Sequence, residues 1–414
     1  MTLQGGVVMD PRTGPAGARH GQVEDAPVVV YVQELLEKAV DLGASDLHFE
    51  PYEQDYRIRM RIDGQLSLLQ PPPEGFRERL AARIKVMARL DVAEKRLPQD
   101  GRIQLALRDQ RQVNLRISTL PTLFGEKVVV RVLDARQVQL DLASLGYEAR
   151  ELALLHEAIQ RPHGMVLVTG PTGSGKTQSL YACLHLLNTA QVNIAAVEDP
   201  CEIQMAGINQ VNVQDRPGLS FAVALRAFLR QDPDILMVGE IRDTETAQMA
   251  IQAAQTGHMV LSTLHTSHAP ATLIRLRNMG VASYNIASSI SLITAQRLVR
   301  RLCPHCRRPA TLTSAALRQA GLDEASQQGD IYQVFAPGGC DACHQGYRGR
   351  TGIFQVMPVS AAMQELVLQE AGVQALERQA QREGVRNLRQ AGLRKVLSGE
   401  ASLEDILAAT GEHA

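Results

Sequence analysis

Residues 170–177 read Gly-Pro-Thr-Gly-Ser-Gly-Lys-Thr, a stretch that restricts the fold around it more than any other in the chain. In G-x-x-x-x-G-K-[ST] the small residues let backbone N–H groups close around phosphate oxygens. The lysine reaches the β- and γ-phosphates, and the hydroxyl meets Mg²⁺. The pattern works only between a strand and a helix whose N-terminus faces the anion. Both are legible: Met165–Val168 is a short apolar run suited to a buried strand, and Lys176–Leu187 reads as a helix. The nucleotide-binding candidates are therefore Gly170, Pro171, Thr172, Gly173, Ser174, Gly175, Lys176, Thr177 and the adjoining Gln178, with Thr177 as the Mg²⁺ ligand.

Three more apolar strands follow, each ending in polar residues: Asn193–Val197 before Glu198-Asp199-Pro200, Ile235–Val238 before Gly239-Glu240, and Met259–Thr263 before His265. Ligands of open α/β sheets bind at the carboxyl ends of parallel strands, so these ends are expected to converge on one crevice. Glu240 follows its strand as the acid that orients an attacking water would. An Asp commonly precedes such a Glu, and here the position is Gly239. Mg²⁺ then falls to Thr177, phosphate oxygens and water, with Glu240 bound directly or one water away. Glu198 and Asp199 either position water near the phosphates or cap the loop that follows. His265 and His258 flank the fourth strand, where a histidine can sense a γ-phosphate or simply be satisfied in the core. Arg226 and Arg230, one helical turn apart, serve a subunit boundary or pair with surface acids.

Upstream, the first 26 residues are rich in Gly, Pro and polar types, and a disordered tail is expected. Residues 28–135 read as a smaller α+β domain. Helical spacing over Val28–Leu42 precedes an alternating strand, Tyr56–Ile62, that runs into the turn pair Asp63-Gly64. A helix is expected over Phe76–Leu90, a turn at Pro98–Gly101, and strands at Arg102–Leu107, Val113–Ile117 and Lys127–Leu133. One face of this sheet carries arginines, either as a solvated surface or as a functional one. Residues 136–148 read as a linker, and residues 149–414 as the nucleotide-binding domain, beginning with a helix over Ala149–Gln160.

Composition narrows the function classes. The 414 residues are 45% hydrophobic with a formal net charge of −1, so no global basic field points to nucleic acid or an anionic membrane. Tryptophan is absent and aromatics make up 4%, which argues against base stacking. No apolar run approaches the roughly 20 residues that span a bilayer, and the N-terminus lacks signal-peptide order; a cytoplasmic protein is expected. Of six cysteines, four form two C-x-x-C pairs, Cys303/Cys306 and Cys340/Cys343, with 33 residues between them. Four thiolates around one ion with no open position is the structural zinc pattern, here stapling an insertion over residues 303–343. Cys183 and Cys201 stand outside the pattern as ordinary thiols. Helices over Gln364–Ala371, Val373–Glu383 and Leu403–Ala409 close the C-terminal region, residues 360–414.

In order along the chain, GPTGSGKT, VEDPCE, LRAFLRQDPDILMVGEIRDTETA and TGHMVLSTLHT resemble the Walker A, Asp box, Walker B and His box of type II secretion and type IV pilus assembly ATPases. RIRMRIDG, AEKRLPQDGRI and FGEKVVVRVLD agree, so that the resemblance spans roughly residues 30–414. It implies a RecA-like P-loop NTPase domain beside an N-terminal α+β (PAS-like) domain, and a homo-hexamer that hydrolyses ATP. The partners it implies are an inner-membrane platform protein and a membrane adaptor with a cytoplasmic domain, which keep the ring peripheral on the inner membrane. Direct nucleic-acid contact is not expected, although a translocase of related fold and a DNA-uptake pilus motor are alternative readings. By the same resemblance Lys176 and Thr177 hold phosphate and Mg²⁺, Glu240 is the catalytic acid, Glu198 belongs to the Asp box and His265 to the His box. Arg116 and Arg131 match arginines that the smaller domain brings to the nucleotide. Gln178, Cys201 and Ser267-His268 depart from the family pattern without removing a catalytic group. About 26 residues precede the Arg-rich domain, against a further docking domain in many assembly members. The tetracysteine module is found in assembly members and argues for extension over retraction.

Overall fold

The computed structural model describes residues 26–133, 140–214, 218–322 and 331–411. The expected N-terminal tail and residues 136–139 of the expected linker lie outside the described residues. The chain divides into two compact units at Asp134/Ala135, and each is taken by itself below.

In the first unit the helix Ala26–Asp41 buries Val28, Val32, Leu35, Leu36, Ala39 and Val40, the three-to-four spacing that puts one stripe on a core. The sheet contains β1 (Asp46–Pro51), β2 (Tyr56–Ile62), β3 (Gln65–Leu68), β4 (Gln99–Ala106), β5 (Gln112–Thr122) and β6 (Gly125–Leu133), in the spatial order β3-β2-β1-β6-β5-β4. All pairs are antiparallel, and the helix Arg77–Met87, between β3 and β4 in sequence, packs on β6, β1 and the helix Ala26–Asp41. The turn expected at Pro98–Gly101 is absent, because Gln99 to Gly101 already belong to β4. A Cβ on Gly101 would sit 2.9 Å from Leu90 Cδ2, so this glycine serves close packing rather than a bend. The reversals come at Leu107–Arg111, between β4 and β5, and at Leu123-Phe124, between β5 and β6.

Register lines up charged residues on the polar face. Arg102, Arg116, Arg131, Asp46 and Arg61 lie opposite one another in a row across β4, β5, β6, β1 and β2. Like charges directly opposite repel, and Asp46 relieves only one end of the row, with Arg131 Nε at 3.0 Å from Oδ1 and Arg61 Nε at 3.8 Å from Oδ2. Beside it Glu50 is buried between Arg59, which donates from two nitrogens at 2.7 and 2.9 Å, and Lys127 at 2.9 Å.

The second unit opens with a short 3₁₀ turn, Leu142–Leu145, and the helix Ala149–Ile159. Its sheet contains β7 (Gly164–Thr169), β8 (Ile194–Glu198), β9 (Ile208–Asn212), β10 (Ile235–Val238), β11 (Met259–Leu264), β12 (Ile290–Leu302) and β15 (Tyr347–Pro358). The order is β15-β12-β7-β11-β10-β8-β9, with every pair parallel except β12–β15. Strands buried on both faces leave little room for polar side chains, which is why β7, β8, β10 and β11 read as largely apolar runs. Met165 and Leu167 join a core with Val197, Leu236 and the helices Phe221–Phe228, Thr244–Gln255 and Ala269–Asn278. Val166 and Val168 join the opposite core with Ala196, Met237 and the helices Ala149–Ile159 and Lys176–Leu187.

Between β12 and β15 lies the insertion: β13 (Arg308–Thr313), the helix Ser314–Gln319 and β14 (Ile331–Ala336), flanked by the two C-x-x-C turns. The C-terminal helices Ala361–Leu368, Val373–Arg382, Leu388–Leu397 and Leu403–Thr410 follow, the third of them unforeseen in the sequence. They hold the root of the insertion through Arg300, which meets Asp405 Oδ1 at 2.6 and 2.8 Å and stacks on Tyr347 at 3.8 Å.

Burial pushes the Glu50 carboxyl up, but hydrogen bonds from Arg59 and Lys127 prevail and hold it below its ordinary value. A depressed carboxyl contributes stability above about pH 4.3, and that stability is lost as pH falls through the folded value. Glu50→Gln is therefore expected to lower stability by about 2 kcal/mol at pH 7. It should also flatten the loss of urea resistance between pH 5 and pH 3, which urea melts of the full chain at several pH values check.

Candidate nucleotide site

The loop after β7 is shaped by its glycines. Gly170, Gly173 and Gly175 have φ of +149°, +78° and +87°, a region that side chains with a Cβ rarely adopt. Gly175 is the N-cap of the helix Lys176–Leu187, and no side chain caps that helix. Its first amides therefore remain for an anion, and a phosphate fits this demand. Lys176 is 9% exposed, and its Nζ donates to the carbonyls of Gly170 at 2.9 Å and Pro171 at 3.0 Å. Burial lowers its affinity for the proton, against the pull of Glu240, and the net is a value below the ordinary one. Thr177 is exposed on the first turn, and Gln178 beside it is half-buried.

Because β8, β10, β11 and β7 are parallel neighbours, the polar residues after them stand along one edge. Glu240 accepts from Arg242 Nη2 and lies 3.2 Å from His265 Nε2, while Arg242 Nη1 donates to Asp199 Oδ2 at 3.1 Å. Burial pushes the Glu240 carboxyl up, but Arg242 and then His265 outweigh it, leaving the group below its ordinary value and ionised at neutral pH. Gly239 is packed against β8: a Cβ there would lie 3.3 Å from both Glu198 Cα and the Val197 carbonyl. Glycine at this position thus matches a close strand approach.

Glu198 takes a different environment from Asp199. It is 3% exposed, accepts from Tyr181 Oη at 2.5 Å and from Gln210 Nε2 at 3.2 Å, and burial raises its carboxyl above the ordinary value despite these donors. Tyr181 lies on the helix after the phosphate loop, so Glu198 ties that helix to the end of β8. The Asp199–Pro200 peptide is cis. Tyr181 and Arg242 were not foreseen. The first reads as an ordinary helix-core aromatic, and the second as one arginine in a run of charge; the fold brings Tyr181 to Glu198 and Arg242 to Asp199.

The remaining candidates are dispersed. His258 Nδ1 lies 2.9 Å from the Ala253 carbonyl, a local contact that closes the preceding helix. Arg226 pairs with Glu245 at 2.8 Å, and Arg230 donates to the Arg226 carbonyl at 2.8 Å. Arg116 is exposed and Arg131 half-satisfied by Asp46, both on the polar face of the first unit. Cys303, Cys306, Cys340 and Cys343 come together with all four sulfurs within 4.8 Å of one another. The separations of 3.9, 3.6 and 3.6 Å match the ~3.8 Å edge of a tetrahedron with Zn–S bonds of ~2.3 Å. Gly338 makes room for this, since a Cβ there would fall 1.9 Å from the Cys306 carbonyl oxygen.

A family model described as type II/IV secretion system protein matches residues 21–408. The chain belongs to that family. It is 50% identical over 407 residues to the type IV pilus assembly ATPase PilB of Acinetobacter baylyi, covering 98% of this chain and 70% of that protein. It is 47% identical over 390 residues to the type II secretion system ATPase E of Vibrio cholerae, covering 94% and 76%. Among solved structures, the Legionella pneumophila ATPase DotB superposes with a TM-score of 0.68 at 20% identity over 92% of this chain and 95% of that one. The pilus retraction motor PilT with bound ADP gives 0.59 at 23% identity, over 92% and 97%. These two likenesses speak for the fold, a RecA-like P-loop domain preceded by a smaller unit.

In this secretion-family chain Tyr181→Phe removes the donor that lowers the Glu198 carboxyl. The folded value then rises further above the unfolded one, so ionised Glu198 costs more. The expected destabilisation is about 1–2 kcal/mol at pH 8 and smaller at about pH 3.5, below the ordinary carboxyl value, where Glu198 is largely protonated in both states. Denaturant midpoints of the variant and the parent at the two pH values check it.

Proposed function

We propose that this chain is a mechanochemical ATPase that works as a homo-hexamer and adds subunits to a type IV pilus or a type II secretion pseudopilus. The observation that carries the reading is the ionised Glu240 at the carboxyl edge that also bears the uncapped phosphate-loop helix and Lys176. On ATP binding, Lys176 Nζ exchanges the Gly170 and Pro171 carbonyls for phosphate oxygens. Glu240 leaves Arg242 or shares it, orients the attacking water and accepts its proton. His265, in contact with Glu240, reports the state of that carboxylate to its strand, and Glu198 fixes the loop helix through Tyr181. Mg²⁺, when bound, neutralises charge between the phosphates; Thr177 would hold it. Arg116 and Arg131 are the arginines that we assign to the developing phosphoryl charge, supplied through ring assembly. The repulsion along their row favours an anionic partner.

The names of the relatives, a pilus assembly ATPase at 50% identity and a type II secretion ATPase at 47%, support assembly. Zn²⁺ in the cysteine cluster closes the insertion as a structural ion, a role that four thiolates favour over chemistry. Among the described residues no helix is long and apolar enough to cross a membrane, so force would reach the filament through an inner-membrane platform protein and an adaptor with a cytoplasmic domain.

Two experiments test this. Glu240→Gln should retain ATP binding within about 3-fold and lose at least ~100-fold in turnover, with oligomer size unchanged by light scattering. Turnover equal to the parent would remove Glu240 from the reaction. Metal analysis should find one zinc per chain, and Cys340→Ser should lose it together with several degrees of thermal midpoint.

A further inference from the structure

The phosphate loop has a neighbour that lies more than a hundred residues away in sequence. Strand β12 runs parallel to β7 and pairs with it up to Ala295 opposite Thr169, the last residue before the loop. Gln296 is the next residue on β12 and is 2% exposed. Its Nε2 donates to the Ser174 carbonyl at 2.7 Å, and its Oε1 accepts from Ser179 Oγ at 2.8 Å. One amide thus grips the loop with its donor and the first turns of the following helix with its acceptor. The backbone makes the same wall: a Cβ on Gly170 would stand 2.5 Å from the Gln296 carbonyl oxygen, and one on Gly175 would stand 3.3 Å from its Nε2. The first and last glycines of the loop therefore both close on this residue.

We propose that Gln296 is a positioning residue for phosphate binding, an inference that rests on the ATP reading above. A trans peptide is planar, and its C=O and N–H point in opposite directions. Drawing the Ser174 carbonyl toward Gln296 therefore turns the Gly175 N–H away from β12, toward the side on which the uncapped helix amides meet an anion. Left alone, a loop with three positive-φ glycines has many conformations, and ordering it on binding costs affinity. Gln296 fixes one of them beforehand. The task requires a donor and an acceptor at the two ends of one flat group, which only an amide of this length supplies. Ser179, also 2% exposed, completes the clamp by holding Oε1 so that Nε2 faces the loop.

The test is nucleotide affinity by calorimetry with Mg-ADP, alongside kcat and KM for ATP, on the full-length zinc-loaded chain. Gln296→Met keeps the bulk and loses both bonds; Gln296→Leu loses both with a branched side chain. Both are expected to weaken Mg-ADP by about 10- to 100-fold and raise KM in step, with kcat at saturation within about 3-fold because Glu240 is untouched. Gln296→Met combined with Ser179→Ala should be no weaker than Gln296→Met alone, since the two act as one clamp. A folded Gln296→Met or Gln296→Leu that binds within 2-fold of the parent overturns the proposal. If neither folds, Ser179→Ala decides it by the same readout: a weakening of about 5-fold supports the clamp, and unchanged affinity overturns it. Failure of the parent to bind Mg-ADP would instead overturn the ATP reading itself, which separates the two.

Discussion

The amides at the start of the helix Lys176–Leu187 are donors without side-chain acceptors, and the second unit is organised around leaving them so. An exposed helix N-terminus carries partial positive charge and several unsatisfied N–H groups, and proteins ordinarily cap it. Here the cap residue is a left-handed glycine, with two further glycines upstream. A loop of this composition has little rigidity of its own. It must be held from outside, and the parallel sheet supplies the holders: β7 fixes where it begins, β12 supplies one wall, and Tyr181 bonded to Glu198 fixes the helix to β8.

The same sheet edge explains the behaviour of the carboxylates. Glu198, Asp199 and Glu240 all follow strands that point the same way, so three acids crowd one edge. Each meets this cost differently. Glu198 turns into the core and is driven toward protonation; Asp199 and Glu240 share Arg242, whose guanidinium lies between them. Arginine suits the position because its planar fork reaches two carboxylates at once and keeps its charge at any physiological pH. The consequence is a division of labour by environment. Of the three acids at this edge, Glu240 is the one that meets both Arg242 and His265 while staying partly accessible.

Much of this was legible in the chain. The loop pattern, the four buried strands of the central sheet, the helix Lys176–Leu187 and the paired cysteines each follow from local composition, because burial on both faces or a ligand set leaves a contiguous mark. What escaped depends on partners far away. Strand β1 alternates Asp46, His48 and Glu50 with apolar residues over only six positions, too short a run to separate from a turn. Residues 290–302 mix small, apolar and charged types without a period, because part of β12 lies in the central sheet and part runs out with β15 to the cysteines. Tyr181, Arg242 and Gln296 carry no local sign of their role at all. Each is defined by a tertiary partner: Glu198 for Tyr181, Asp199 beside Glu240 for Arg242, and the Ser174 carbonyl for Gln296.

That dual nature of β12 links the cysteine cluster to the phosphate loop of the second unit. Its first half stands beside β7, its thirteen residues end at Leu302, and the next residue is Cys303. A long strand with a single antiparallel partner beyond the sheet would twist and fray, since two-stranded ribbons are only marginally stable alone. Three restraints counter this: the cysteine cluster at the far end, the Arg300–Asp405 pair near it, and the core that joins Val299 and Ile353 to the helices Leu388–Leu397 and Leu403–Thr410. The strand that walls the phosphate loop is thus the same strand that these restraints terminate. This gives a physical reason for placing four cysteines so far from any nucleotide: they fix the free end of the strand whose middle shapes the site.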